Sequence, residues 1–149
     1  MLAVVQRMPQ AKIIHIVTNT TTLSKNEQGL ALAPSSQDDG WLTSKEIINL
    51  NLKAELVVMS ACDTALGKIT GDSVIGLSHS FFTARVPTVM GALWEISDDP
   101  TTFLMTEFYQ NFSENPDKAA ALRHAMLTTM KKYPNPRDWA AFTLIGESE

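Results

Sequence analysis

The sequence predicts an α/β fold with a mainly parallel sheet, on three observations. Four short apolar runs, at 12–18, 56–61, 87–94 and 139–145, have the length and β-branched character of buried strands. Segments with apolar residues at helical spacing separate them, and strands alternating with helices imply right-handed parallel crossovers. The second run shrinks to Ser60-Ala61, presents Cys62 and breaks into a loop that ends at Gly67. Open α/β sheets bind ligands outside the carboxyl ends of their strands, so Cys62 is the residue to explain.

Composition narrows the class. The chain has 149 residues, 44% hydrophobic and 19% charged, enough for one globular domain with a real core. Its net charge of −4 comes with no basic stripe, which argues against a nucleic-acid partner. One cysteine excludes an internal disulfide and suits a reducing compartment. No apolar run nears the ~18 residues of a membrane span. Arg7 follows the apolar residues of the N-terminus rather than preceding them, so no signal peptide is expected and the cytoplasm is the default. No metal and no cofactor are expected.

The elements follow in order. Residues 1–10 are uninformative, and Pro9 ends them. Lys12 to Thr18 is the first strand. Asn19 to Gly40 reads as a long polar loop interrupted by Leu30-Ala31-Leu32, a possible short hairpin strand. Thr43-Ser-Lys-Glu46 has the capping-box pattern and predicts a short helix over 44–50. After the second strand, Val74, Leu77, Ser78 and Phe81 predict an amphipathic helix over 72–84. Pro87 opens the third strand, where a missing N–H is tolerated. Asp98-Asp99-Pro100 starts a helix with its apolar face at Leu104, Phe108 and Phe112, and Asn115-Pro116 breaks it. Leu122, Met126 and Met130 mark the next helix, which Pro134 and Pro136 stop. Trp139 to Ile145 is the last strand. The first strand carries apolar residues on both faces and a bare edge, which invites pairing with another chain.

Three blocks carry a resemblance to a known family. They are Leu56-Val-Val-Met-Ser-Ala-Cys-Asp-Thr64, Gly91-Ala-Leu-Trp94 with Asp98 and Thr101, and Trp139-Ala-Ala-Phe-Thr-Leu-Ile-Gly146. Met105 to Tyr109 and Ala121 to Ala125 add to them. In this order they resemble the bacterial CHAT domain, the caspase-like domain associated with tetratricopeptide repeats. The resemblance implies a caspase-like three-layer α/β/α sandwich and a cysteine peptidase ancestry. It covers about Lys12 to Gly146, so residues 1–149 read as one CHAT domain whose N-terminal strands are missing.

The same resemblance assigns the site. Cys62 takes the nucleophile's place and Asp63 that of an acid in the substrate-facing loop. The family's histidine lies in an Ala-Thr-His-Gly-like turn after the first strand. Here that turn is Val17-Thr18-Asn19-Thr20, so Asn19 stands at the histidine position and Thr20 at the glycine. A cysteine peptidase needs a thiolate and a general acid; an amide neither takes nor gives a proton near neutral pH. Ala65 replaces a second glycine in the loop expected to form the oxyanion hole, and Arg85 stands where a small turn residue is usual. His15 lies four residues before Asn19, about 13 Å away at strand rise, and is expected to point into a sheet face as a hydrogen-bonded core residue. His79 and His124 fall in predicted helices as structural or surface residues.

The expected function is a catalytically degenerate peptidase homologue, a pseudo-peptidase or protein-interaction module. Its partners would be proteins or peptides, among them tetratricopeptide-repeat proteins. One alternative is an active cysteine endopeptidase whose base comes from His15 or a partner chain. Another is a half-domain that assembles through its exposed sheet edge.

Overall fold

The computed structural model of the protein describes residues 2–24, 27–36, 38–60 and 71–148. Its centre is a sheet of four short strands, β1 (Ile13–Ile16), β5 (Leu56–Met59), β6 (Thr88–Ala92) and β7 (Phe142–Gly146), in the order β1-β5-β6-β7. The first three are parallel, with Ile13 opposite Leu56 and Val57 opposite Val89. β7 is antiparallel to β6 and pairs Ala92 with Phe142. The cause is the pair of helices between them. α4 (Asp98–Glu114) carries the chain down one face, and α5 (Lys118–Lys132) packs against α4 and brings it back. The chain therefore re-enters the sheet from the end at which β6 left it.

β5 is buried along its whole length, and its side chains divide between two cores by the period of two. Val57 and Met59 join Ile14, Leu77, Phe81 and Val89 on one face. Leu56 and Val58 join Met90, Leu104, Phe108 and Phe142 on the other. Helices α1 (Leu2–Arg7), α2 (Ser44–Ile48) and α3 (Gly71–Thr83) lie on the first face, and α4 and α5 on the second. This is the predicted three-layer sandwich. Burying each such side chain contributes roughly 1.5–3 kcal/mol, and β5 and β6 are both buried along their whole length.

The capping box predicted for α2 is present. Glu46 N–H donates to Thr43 Oγ1 at 3.2 Å, and Thr43 N–H donates to the Glu46 carboxylate at 2.8 Å. The helix that begins at Asp98 and breaks at Asn115 is also as predicted. Pro136 does more than stop α5: it opens a short α6 (Pro136–Trp139), whose Arg137 N–H donates to the Asn135 side chain. The last strand accordingly begins at Phe142, not at Trp139.

Two readings need correction. The opening residues are helical rather than featureless, in α1 and a 3-10 turn at Met8–Gln10. The segment after Asn19 is more than a loop: the hairpin strand expected at Leu30-Ala31 is present, and it is part of a sheet. It forms β2 (Thr20–Ser24) and β3 (Glu27–Ala31), which with β4 (Trp41–Thr43) make a three-stranded antiparallel sheet. The threonines taken for loop residues are β-branched and pair as strand, Thr20 with Leu30 and Thr21 with Gly29.

Candidate functional site

β1, β5 and β6 run in one direction, so their carboxyl ends share one edge of the sheet. A cleft of about 610 Å³ opens there beneath α4. Its sheet side is His15 and Val17 from β1 and its exit, and Ser60 just past β5. Its helix side is a stripe of α4 at Asp98, Thr101, Thr102, Met105, Thr106 and Tyr109. The steps of three and four put these residues on one side of the helix, next to the Leu104/Phe108 stripe that fills the core. Ile96 and Met105 supply buried apolar floor.

The turn after β1 is held in place. Ser60 N–H donates to Ile16 O at 2.9 Å, which joins the exits of β1 and β5. Thr18 Oγ1 donates to Ala31 O, and Ala31 N–H donates back to Asn19 O at 2.9 Å. β3 thus fixes the main chain of Asn19 and leaves its side chain exposed. Thr20 is buried and begins β2 in extended form. The left-handed conformation that a glycine would supply is not used at this turn. Among the described residues, positive φ occurs at Arg85, Gly40 and Gly146 only.

Arg85 is the informative member of that set. It terminates α3: Val86 N–H donates to Phe81 O, and Arg85 N–H to Phe82 O, each at 3.0 Å. This is the Schellman pattern, with Arg85 at the left-handed position and φ of 76°. A small residue is usual there because the conformation crowds a Cβ against the backbone, at about 1–2 kcal/mol.

His15 faces the α4 layer and, against the expectation, is not a core residue but reaches the carboxyl-edge cleft. It is exposed at the cleft, its Nδ1 lies 3.0 Å from the Tyr109 hydroxyl, and the two ring centroids are 5.7 Å apart. Partial burial lowers the His15 pKa from its ordinary 6.5. Burial also pushes the Tyr109 hydroxyl up to about 12. Both shifts favour the uncharged forms, and the hydroxyl and Nδ1 share one hydrogen bond whose direction the imidazole tautomer sets. His79 and His124 are exposed on α3 and α5, away from the cleft lining.

Asp98 and Asp99 occupy the first turn of α4, where the dipole favours them, though Ser97 holds the cap position without a side-chain bond. Asp98 also reaches the cleft. Cys62 and Asp63, the predicted nucleophile and substrate-facing acid, lie outside the described residues, as does Ala65. Among the described residues no three His, Cys, Asp or Glu side chains gather as metal ligands, and no helix is long and apolar enough to cross a membrane. Sequence reasoning missed Tyr109 and the α4 stripe as site residues. The signal was present in the spacing of Asp98, Thr101, Met105 and Tyr109, but the apolar stripe beside it absorbed the helix into the core.

A parallel α/β sandwich with a cleft at the carboxyl ends of its strands is the architecture of the caspase-like class. The family is narrower than that class: the CHAT domain profile matches residues 2–147, and the chain belongs to this family. Similar proteins include tetratricopeptide repeat protein 28 of Mus musculus, 32% identical over 107 residues, and that of Homo sapiens, 31% identical over 107 residues. Each alignment covers 70% of this chain and 4% of the relative, so the chain corresponds to a small part of those proteins. Both relatives are mammalian, and the expected bacterial assignment finds no support in them.

Proposed function

We propose that this CHAT domain holds a protein segment at its carboxyl-edge cleft without cutting it. The observation that carries the reading is Asn19. It follows the strand next to β5, its main chain is pinned by Ala31, and it presents an amide to solvent where the resemblance puts an imidazole. An amide donates and accepts hydrogen bonds but transfers no proton near neutral pH. Cys62 then lacks the partner that would lower its pKa, and the leaving amine lacks an acid. Binding remains available, since the cleft has an apolar floor and a rim of hydroxyls, the usual make-up of a recognition site. Asp63, which the resemblance assigns to a substrate-facing loop, would contact the bound segment. The names of the relatives suggest a tetratricopeptide-repeat context, whether on the same chain or a partner.

A second reading keeps activity, with His15 as the base. In its favour, His15 lines the same cleft as Ser60, which precedes Cys62 by two residues. Against it, the Nδ1 of His15 is engaged by Tyr109, and burial disfavours the imidazolium the chemistry needs.

The test is a gain of function. Asn19→His combined with Thr20→Gly, assayed on a peptide library, is expected to raise cleavage from background. Cleavage by the unaltered chain that is lost in His15→Ala would instead establish the second reading.

A further inference from the structure

The helix side of the cleft is rich in hydrogen-bond acceptors and poor in donors. Thr101 Oγ1 donates to Ser97 O and Thr106 Oγ1 to Thr102 O, each at 2.8 Å. Both hydroxyl protons are therefore taken up by the main chain, and the two oxygens keep only lone pairs. Asp98 adds a carboxylate at the first turn of α4. Among the described residues no lysine or arginine lines the cleft, and no cationic side chain pairs with Asp98. Beside these oxygens lies the buried apolar floor of Ile96 and Met105. Ile96, Asp98, Thr101 and Met105 all belong to α4 or to the chain that enters it from β6, so this part of the cleft is built without β1.

We infer that the segment held in the cleft presents an arginine side chain to it, with the guanidinium on Asp98 and the methylene stem along Ile96 and Met105. This rests on the reading of the cleft as a site for a protein segment. A guanidinium carries five donors and no acceptor, which suits a wall of acceptor oxygens. It also pairs with a carboxylate through two parallel N–H···O bonds. Its stem covers apolar surface while the charged head stays at the polar rim. The opposite charge is excluded: a carboxylate side chain would meet Asp98 with no cation beside it. Leucine would cover the floor but give the oxygens no donor. Lysine brings a point charge without the planar fork, so it ranks below arginine. The net charge of −4 draws a basic segment in the same direction over longer range.

Fluorescence anisotropy on the 149-residue chain tests this with labelled octapeptide pools, randomised except for one fixed central residue. The fixed residue is arginine, its neutral isostere citrulline, lysine, leucine or glutamate. The arginine pool is expected to bind at least ~10-fold more tightly than the citrulline pool, with glutamate weakest. Added salt should narrow that gap. Asp98→Asn keeps the side-chain size, should leave the circular dichroism spectrum unchanged, and should abolish the difference between arginine and citrulline. Glu114→Gln removes the same charge at the far, exposed end of α4 and should leave the difference intact. Pools that bind equally, or a preference for leucine or glutamate, overturn the arginine assignment and leave the segment-binding reading standing. If no pool binds, the segment-binding reading falls and takes this inference with it. An arginine preference that survives Asp98→Asn overturns the role of Asp98. One lost equally in Glu114→Gln reflects diffuse attraction and overturns the subsite.

Discussion

The two edges of the central sheet are built differently. At the β7 edge the chain is tied back beyond the strand. Gly146 adopts φ of 110° against Pro87, Glu147 N–H donates to Pro87 O at 3.1 Å, and Thr88 Oγ1 donates to Glu147 O at 2.6 Å. Lys118 N–H donates to Ser148 O at 2.7 Å, joining the end of the sheet to the start of α5. At the β1 edge no strand among the described residues pairs outward, and His15 meets Tyr109 through side chains. The contrast separates roles. β7 also ends the sheet order, but its end is tied by backbone bonds to the start of β6 and of α5, which serves stability. The β1 end has no ties to those elements among the described residues and lies beside the cleft.

Substitutions at the two edges should differ in size accordingly. The largest effect is expected for Gly146→Ala. A Cβ there would lie 2.1 Å from Pro87 O, on a backbone conformation that L side chains rarely adopt. Overlap and strain together predict a loss of about 3 kcal/mol or more, read as a fall in the chemical denaturation midpoint. A loss under ~1 kcal/mol would mean the β7 edge yields easily and the contrast is unfounded.

Tyr109→Phe, beside the open edge, removes one partly exposed hydrogen bond and should cost only about 1 kcal/mol. It should also change the pH dependence. The folded chain holds the Tyr109 pKa at about 12, above its ordinary 10.0, so the unfolded chain ionises first and stability falls as pH rises from 10 toward 12. That alkaline limb should shrink in Tyr109→Phe. His15 gives the opposite limb. Its folded pKa is below 6.5, so the unfolded chain takes up the proton first. Stability falls as pH drops through 6.5 and levels off beneath the folded value. Denaturation midpoints from pH 4 to 8 should show this limb in the wild type and a weaker one in His15→Gln.

The smallest effect is a gain. Arg85→Gly relieves the left-handed position but adds freedom to the unfolded chain, leaving roughly +0.5 to +1 kcal/mol of stability. A destabilised Arg85→Gly would show that the arginine side chain is anchored by contacts that outweigh the strain.

How far the sequence could be read followed from how locally each feature is determined. The four strands of the main sheet were legible because apolar runs such as Leu56–Met59 are buried on both faces. The α2 cap was legible because its partners are three residues apart. The small sheet was hidden, since Thr20 to Ser24 looks polar in sequence and owes its structure to pairing with β3. The reversal of β7 was hidden too, because it depends on two helices packing as a pair. His15 was expected in the core beneath a sheet face and instead lines the cleft, because a strand's position at the sheet edge is not written in its own residues. Tyr109 lies 94 residues from its partner, beyond any local pattern.

Loss of cleavage, as proposed, requires that no proton-transferring group sits beside the Cys62 thiol. Its most direct test is the rate of Cys62 alkylation by iodoacetamide as a function of pH, since the chain has no other cysteine. The prediction is a midpoint at or above ~8.5, as for a free or buried thiol. A midpoint well below 7 that moves up in His15→Ala would contradict the account and make Cys62 a working nucleophile.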